Sequence, residues 1–124
     1  MNKGRFIKTV AATLCLTSMM SIVAFAKNYE KMGTYGEAYL NQNYSGGLRT
    51  ATARTVPSDD PSKSKYQTLT LIKAYYEDGD VGERRDGPAN RSTIAGYDYG
   101  YFESFTSFHR IMENAQFRAQ AKLP

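Results

Sequence analysis

From about residue 28 onward the apolar positions recur mostly at every second residue, the spacing of strands with one face turned inward. Leu48 to Val56 places Leu48, Thr50, Thr52 and Val56 on one face and Ala51 and Ala53 on the other, where small side chains suit a closely packed layer. Tyr66 to Tyr76 carries the strongest strand pattern. Its faces are Tyr66, Thr68, Thr70, Ile72, Ala74, Tyr76 and Gln67, Leu69, Leu71, Lys73, Tyr75. Neither face is purely polar, so the pattern predicts a central strand covered on both sides. Ile94 to Phe102 sets Tyr97, Tyr99 and Tyr101 against Asp98 and Gly100. Ala115 to Leu123 alternates Ala115, Phe117, Ala119, Ala121 and Leu123 with Gln116, Arg118, Gln120 and Lys122.

Turn residues separate these runs. Gly33-Thr34-Tyr35-Gly36 reads as a flexible lead-in to Glu37 through Asn41, and Gly46-Gly47 as a turn. Pro57 to Ser62 has two prolines, which cannot donate to a sheet ladder, and reads as a loop. Glu77 to Asn90, with three glycines, one proline and seven charges, predicts a solvated loop or a wide hairpin. In Phe102 to Met112 the apolar residues Phe102, Phe105, Phe108 and Met112 lie three or four apart, which suits a helical face, but Ser104, Thr106 and Ser107 weaken a helix. The expectation there is a strand, with a single helix packed on the sheet as the alternative. Five or six strands at these spacings predict an all-β fold, a small antiparallel β-sandwich or open barrel.

The first 26 of the 124 residues have a different character. A basic start precedes an apolar run from Thr9 to Phe25 and a small-residue exit at Ala24-Phe25-Ala26, the three parts of a cleaved signal peptide. A permanent anchor is the competing reading. Thr9, Thr13, Thr17, Ser18 and Ser21 dilute the run, and the cleavage site favours removal. Cys15 follows Ala12-Thr13-Leu14, unlike a lipid-attachment site. The expected organisation is a signal peptide over 1–26 and one small β domain over 27–124, secreted and without permanent membrane insertion.

That division changes the charge. The whole chain is +4, but Lys3, Arg5 and Lys8 fall in the leader and leave 13 Lys and Arg against 12 Asp and Glu. A domain so near neutrality has no general field for nucleic acid. The one cysteine, Cys15, also lies in the leader, so the domain is expected to hold no disulfide and no Cys-ligated metal. Ring burial must then supply cohesion that small secreted domains commonly take from disulfides. All ten tyrosines lie beyond the leader, and the chain has no tryptophan.

Catalytic chemistry is sparsely represented. His109 is the one histidine, and a Ser-His-Asp arrangement would have to recruit Ser104 or Ser107 with Asp98. No Gly-x-Ser-x-Gly elbow is present, so His109 is expected to be a packed or surface ring, with a secreted hydrolase as the remote alternative. Glu77, Asp78, Asp80, Glu83 and Asp86 could offer oxygens to calcium, but their spacing departs from the twelve-residue calcium loop and Arg84 and Arg85 sit among them. No metal, cofactor or catalytic residue is therefore expected. Arg84, Arg85 and Arg91 with Lys63 and Lys65 form at most a solvated basic rim. The distinctive stretch is Gly96 to Phe102: Tyr97, Tyr99 and Tyr101 on one side of a strand could stack on sugar rings or pack a ligand, and are the candidate ligand-binding residues, although cross-strand ring packing is the simpler explanation and the absence of tryptophan weakens the sugar-binding case.

One segment, Ala38-Tyr39-Leu40-Asn41-Gln42-Asn43-Tyr44-Ser45-Gly46-Gly47-Leu48-Arg49-Thr50-Ala51-Thr52-Ala53, resembles the opening of lactococcin-type bacteriocins, small secreted β-proteins in which a Tyr/Asn/Gly segment leads into a Thr/Ala/Val strand. The resemblance implies disturbance of cell-wall synthesis in neighbouring bacteria. The leading expectation is a secreted, non-catalytic binding module at the cell envelope or outside the cell. Its candidate partners are a cell-wall polymer, a carbohydrate or another protein. A bacteriocin-like toxin is the alternative.

Overall fold

The computed structural model describes residues 28–124, and the expected signal peptide lies outside them. The described chain is all β, with eight strands: β1 (Tyr29–Met32), β2 (Gly36–Ser45), β3 (Leu48–Pro57), β4 (Tyr66–Tyr76), β5 (Val81–Ala89), β6 (Thr93–Gly100), β7 (Phe102–Glu113) and β8 (Gln116–Leu123). They form two four-stranded antiparallel sheets, ordered β1-β2-β3-β6 and β5-β4-β7-β8. The sheets do not close into a barrel, which makes the fold a β-sandwich. The chain changes sheet three times, after β3, after β5 and after β6.

Inward positions differ in size between the layers. The first sheet supplies Ala38, Leu40, Ala51, Ala53 and Ala95, all buried, while the second supplies Ile72, Phe105, Ile111 and Leu123. Small faces large, which lets two pleated layers interdigitate. At one end of the core Tyr97, Phe102 and Phe105 pack edge-on or tilted, with Tyr97 and Phe102 centroids 5.4 Å apart and those of Phe102 and Phe105 4.9 Å apart. Next to this ring cluster lies a band of buried hydroxyls and one imidazole: Thr55, Thr68, Thr70, Thr93, Ser107 and His109.

The Gly46-Gly47 turn is present, with positive φ at both glycines, as a two-residue hairpin demands. Phe102 to Met112 is strand, as expected, and two other expectations need correction. Glu77 to Asn90 is not mainly loop, since only the stretch before Val81 turns and Val81–Ala89 is strand β5. Its charges and Pro88 suit an edge strand, where one side of the ladder faces water and a missing N–H costs little. The glycine-bounded segment 33–36 is not a lead-in. It is a tight turn that folds β1 back onto β2, with Met32 opposite Gly36. The helical spacing in Phe102 to Met112 comes from a bulge opposite Tyr75/Tyr76, which turns both Phe102 and Phe105 into the core, while Phe108 and Met112 keep to the outer face.

Two arginines tie the strand edges where the sheets meet. Arg91 makes a bidentate pair with Asp86 at 2.8 and 2.9 Å, and the Asp86 carboxylate also accepts from the Ile94 N–H at 2.9 Å. Arg91 holds the Asp86 carboxyl below its ordinary pKa. Arg84, from β5, lies over the Tyr97 ring at 4.3 Å and donates to the Gly96 carbonyl oxygen at 3.1 Å, bridging to β6 in the other sheet.

Candidate functional site

Tyr97, Tyr99 and Tyr101 do not share a face. The register runs from Ala51 opposite Tyr97 to Arg49 opposite Gly100, so two residues of β3 face three of β6. This bulge interrupts the alternation. Tyr97 turns inward and is 7% exposed, whereas Tyr99 and Tyr101 are 51% and 70% exposed. Tyr97 is therefore a core residue, corrected from the expected contact set. Its phenol is raised above its ordinary pKa by burial.

The structure replaces it with a residue the sequence did not single out. Tyr44, at the end of β2, is 63% exposed. It pairs with Arg49, which in turn pairs with Gly100, so Tyr44 and the Tyr99 to Tyr101 segment occupy one end of the first sheet, two strand spacings or roughly 10 Å apart. Arg49 organises that end. Its guanidinium lies 4.8 Å from the Tyr44 ring centroid and its Nη1 donates to the Glu103 carbonyl oxygen, just past Tyr101. The Tyr101 carbonyl oxygen accepts from the Glu77 N–H at 3.1 Å, fixing the segment against the β4–β5 hairpin. Three phenol rings thus stand in water at this end of the first sheet, one of them under the Arg49 guanidinium, on a backbone held by β-ladders. The legible clue was the Tyr-Ser-Gly-Gly turn: a ring just before a two-residue hairpin sits at the end of the sheet.

His109 and Ser107 were the other candidates, and the structure does bring them together. Ser107 Oγ lies 2.7 Å from His109 Nε2, and Thr55 Oγ1 lies 2.8 Å from Nδ1. The third position is a threonine, not a carboxylate, and Asp98 is on the surface of β6. His109 has no solvent exposure and Ser107 is also buried, so no substrate reaches this pair. Burial lowers the imidazole pKa to about 4, against smaller opposing effects of the Arg54 backbone and the Glu30 charge. Held neutral, the ring donates at one nitrogen and accepts at the other. One proton assignment satisfies the group: Nδ1–H to Thr55, Thr55 O–H to the Leu69 carbonyl oxygen at 3.2 Å, and Ser107 O–H to Nε2. Thr70 links Thr55 at 2.6 Å to Thr93 at 2.8 Å, carrying the network through both sheets. This is a structural network joining β3, β4, β6 and β7.

Of the acidic residues, Asp86 is committed to Arg91 and Asp78 accepts from the Asp80 N–H at 2.9 Å within the turn. Among the described residues no group of three or more His, Asp and Glu is placed to hold a metal ion. The chain matches no family model, no curated protein and no solved structure.

Proposed function

We propose that the protein is an exported, non-catalytic binding module of the cell envelope, and that its contact surface is the end of the sandwich bearing Tyr44, Tyr99 and Tyr101. The observation that carries this reading is the exposure of these three rings at one end of the first sheet, where the Arg49 guanidinium stacks on Tyr44. Exposed phenols lose little conformational entropy on binding, present a flat apolar face and keep a hydroxyl for hydrogen bonds. Sugar rings, apolar on one face and hydroxylated at the rim, match that chemistry, so a cell-wall glycan is the ligand class. The leader supports export.

The test is retention of the protein on purified cell wall and on soluble polysaccharides, against the double variant Tyr44→Ala, Tyr101→Ala. Retention at sub-millimolar affinity that the variant loses is expected. No retention, or retention the variant keeps, overturns the reading, and capture by a protein alone would reassign the surface. The lactococcin-like segment, Ala38 to Ala53, forms the β2–β3 hairpin that carries Tyr44, which gives a toxin acting on neighbouring envelopes as the second reading. A dose series against related bacteria separates the two, since a toxin inhibits growth and a binding module does not.

A further inference from the structure

The outer face of the second sheet carries an asymmetry that the near-neutral net charge conceals. One cross-strand row runs Arg85, Leu71, Phe108, Lys122 from β5 to β8, and the next places Arg110 opposite Leu69. On the Lys73 side of the first row lies a shallow groove of about 450 Å³, with Leu71, Tyr75 and Phe108 in its lining together with Lys73 and Lys122, while Arg85 and Arg110 stand outside it. Leu71 and Phe108 are half-buried, while Lys73, Arg85 and Lys122 reach into water. Among the described residues, Lys73, Arg85, Arg110 and Lys122 have no carboxylate within ion-pair distance. Arg110 rests on the Phe108 ring at 5.2 Å, and its Nε is shielded from water with no acceptor. Glu83 is the one acid lining the groove. Leu71 and Phe108 thus stand between Arg85 on one edge strand and Lys122 on the other, with Lys73 and Arg110 on the strands between, and this excess of cations over Glu83 suits an acidic partner.

We propose that this groove docks an acidic amphipathic helix of a partner protein. The two edge strands stand three strand spacings apart, roughly 14 Å, and a helix with its side chains is about 10 to 12 Å across. A helix laid along β4 and β7 sets its apolar stripe on Leu71 and Phe108 and its flanking carboxylates against Arg85 on one side and Lys122 on the other. Charge complementarity at the walls orients the segment and excludes basic competitors, and the floor supplies buried apolar area. The recessed floor selects against a lipid bilayer, because a flat membrane meets the lysine and arginine tips before it can touch Leu71 or Phe108. The site is separate from the tyrosine-bearing end and does not depend on it.

Fluorescence anisotropy with a labelled helical peptide, leucine at three- and four-residue spacing and glutamate on its flanks, tests the proposal. Saturable binding that weakens as salt rises is expected. Lys73→Glu with Lys122→Glu changes two exposed side chains, leaves the circular dichroism spectrum intact and lowers affinity by at least about tenfold. Tyr101→Ala leaves this binding unchanged, so failure here is distinguishable from failure of the glycan reading. The proposal is overturned by absence of saturable binding, by equal binding of the peptide with lysine in place of glutamate, or by indifference to the double charge reversal. Binding to phosphatidylglycerol vesicles with none to the peptide would likewise overturn it and assign the face to a membrane.

Discussion

His109 and Ser107 lie two residues apart on one strand, and both turn into the sealed interior, with Nε2 and Oγ 2.7 Å apart. A pair that on a surface would suggest a nucleophile and its base is here a clamp between layers, because Thr55 of the opposite sheet holds the other ring nitrogen. The imidazole is useful to the fold only while neutral.

Acid should therefore weaken the protein. His109 has a folded pKa of about 4 against 6.5 for the free side chain. With the folded value depressed, the unfolded chain takes up the proton first, so stability is full above about pH 6.5 and falls as pH drops toward 4. The expected loss over that window is roughly 3 kcal/mol, read from urea midpoints at pH 7, 5.5 and 4. His109→Gln should flatten that part of the profile, and a wild-type profile already flat between pH 6.5 and 4 would contradict a buried neutral ring.

Thr55→Val keeps the shape of the side chain and removes the hydroxyl shared by His109, Thr70 and the Leu69 carbonyl. It should cost about 1 to 3 kcal/mol, since a buried donor is left without its partner. Thermal unfolding measures this; an unchanged melting temperature would mean the network contributes nothing.

Gly36 is a position where any side chain is excluded. A Cβ there would collide with the Val56 carbonyl oxygen and lie 2.6 Å from Ile111 Cδ1. Gly36→Ala should destabilise by about 1 to 3 kcal/mol through forced displacement of β3 backbone and core, visible as a lowered denaturation midpoint.

The aromatic residues should divide by position. Phe105→Ala, in the buried ring cluster with Tyr97, should cost roughly 3 to 5 kcal/mol, whereas Tyr44→Ala and Tyr101→Ala should each stay within about 0.5 kcal/mol of the native protein. Tyr101→Ala unfolding as severely as Phe105→Ala would place that ring in the core and remove it from the contact surface.

Alternation alone identified β3, β4, β6 and β8, because a strand buried on one or both faces writes its period into the sequence. It could not identify β1, four residues held by pairing with β2, nor β5, whose charges and Pro88 look like a loop until an edge position accounts for them. Bulges hid the most. One extra residue in β6 turned a row of three tyrosines into one core ring and two exposed ones, and another in β8 set Phe117 opposite Met112 and left it in water.

What the sequence determined on its own was local: strand-forming residues in short alternating runs, a glycine turn, and no cysteine beyond Cys15. What only the tertiary structure decided was adjacency. Tyr44 meets Arg49 at one end, His109 meets Thr55 across the layers, and Leu71 and Phe108 share a row between Arg85 and Lys122. Register and sheet order fix those meetings, and both depend on pairings between strands distant in the chain, which a period of two along any one strand does not encode.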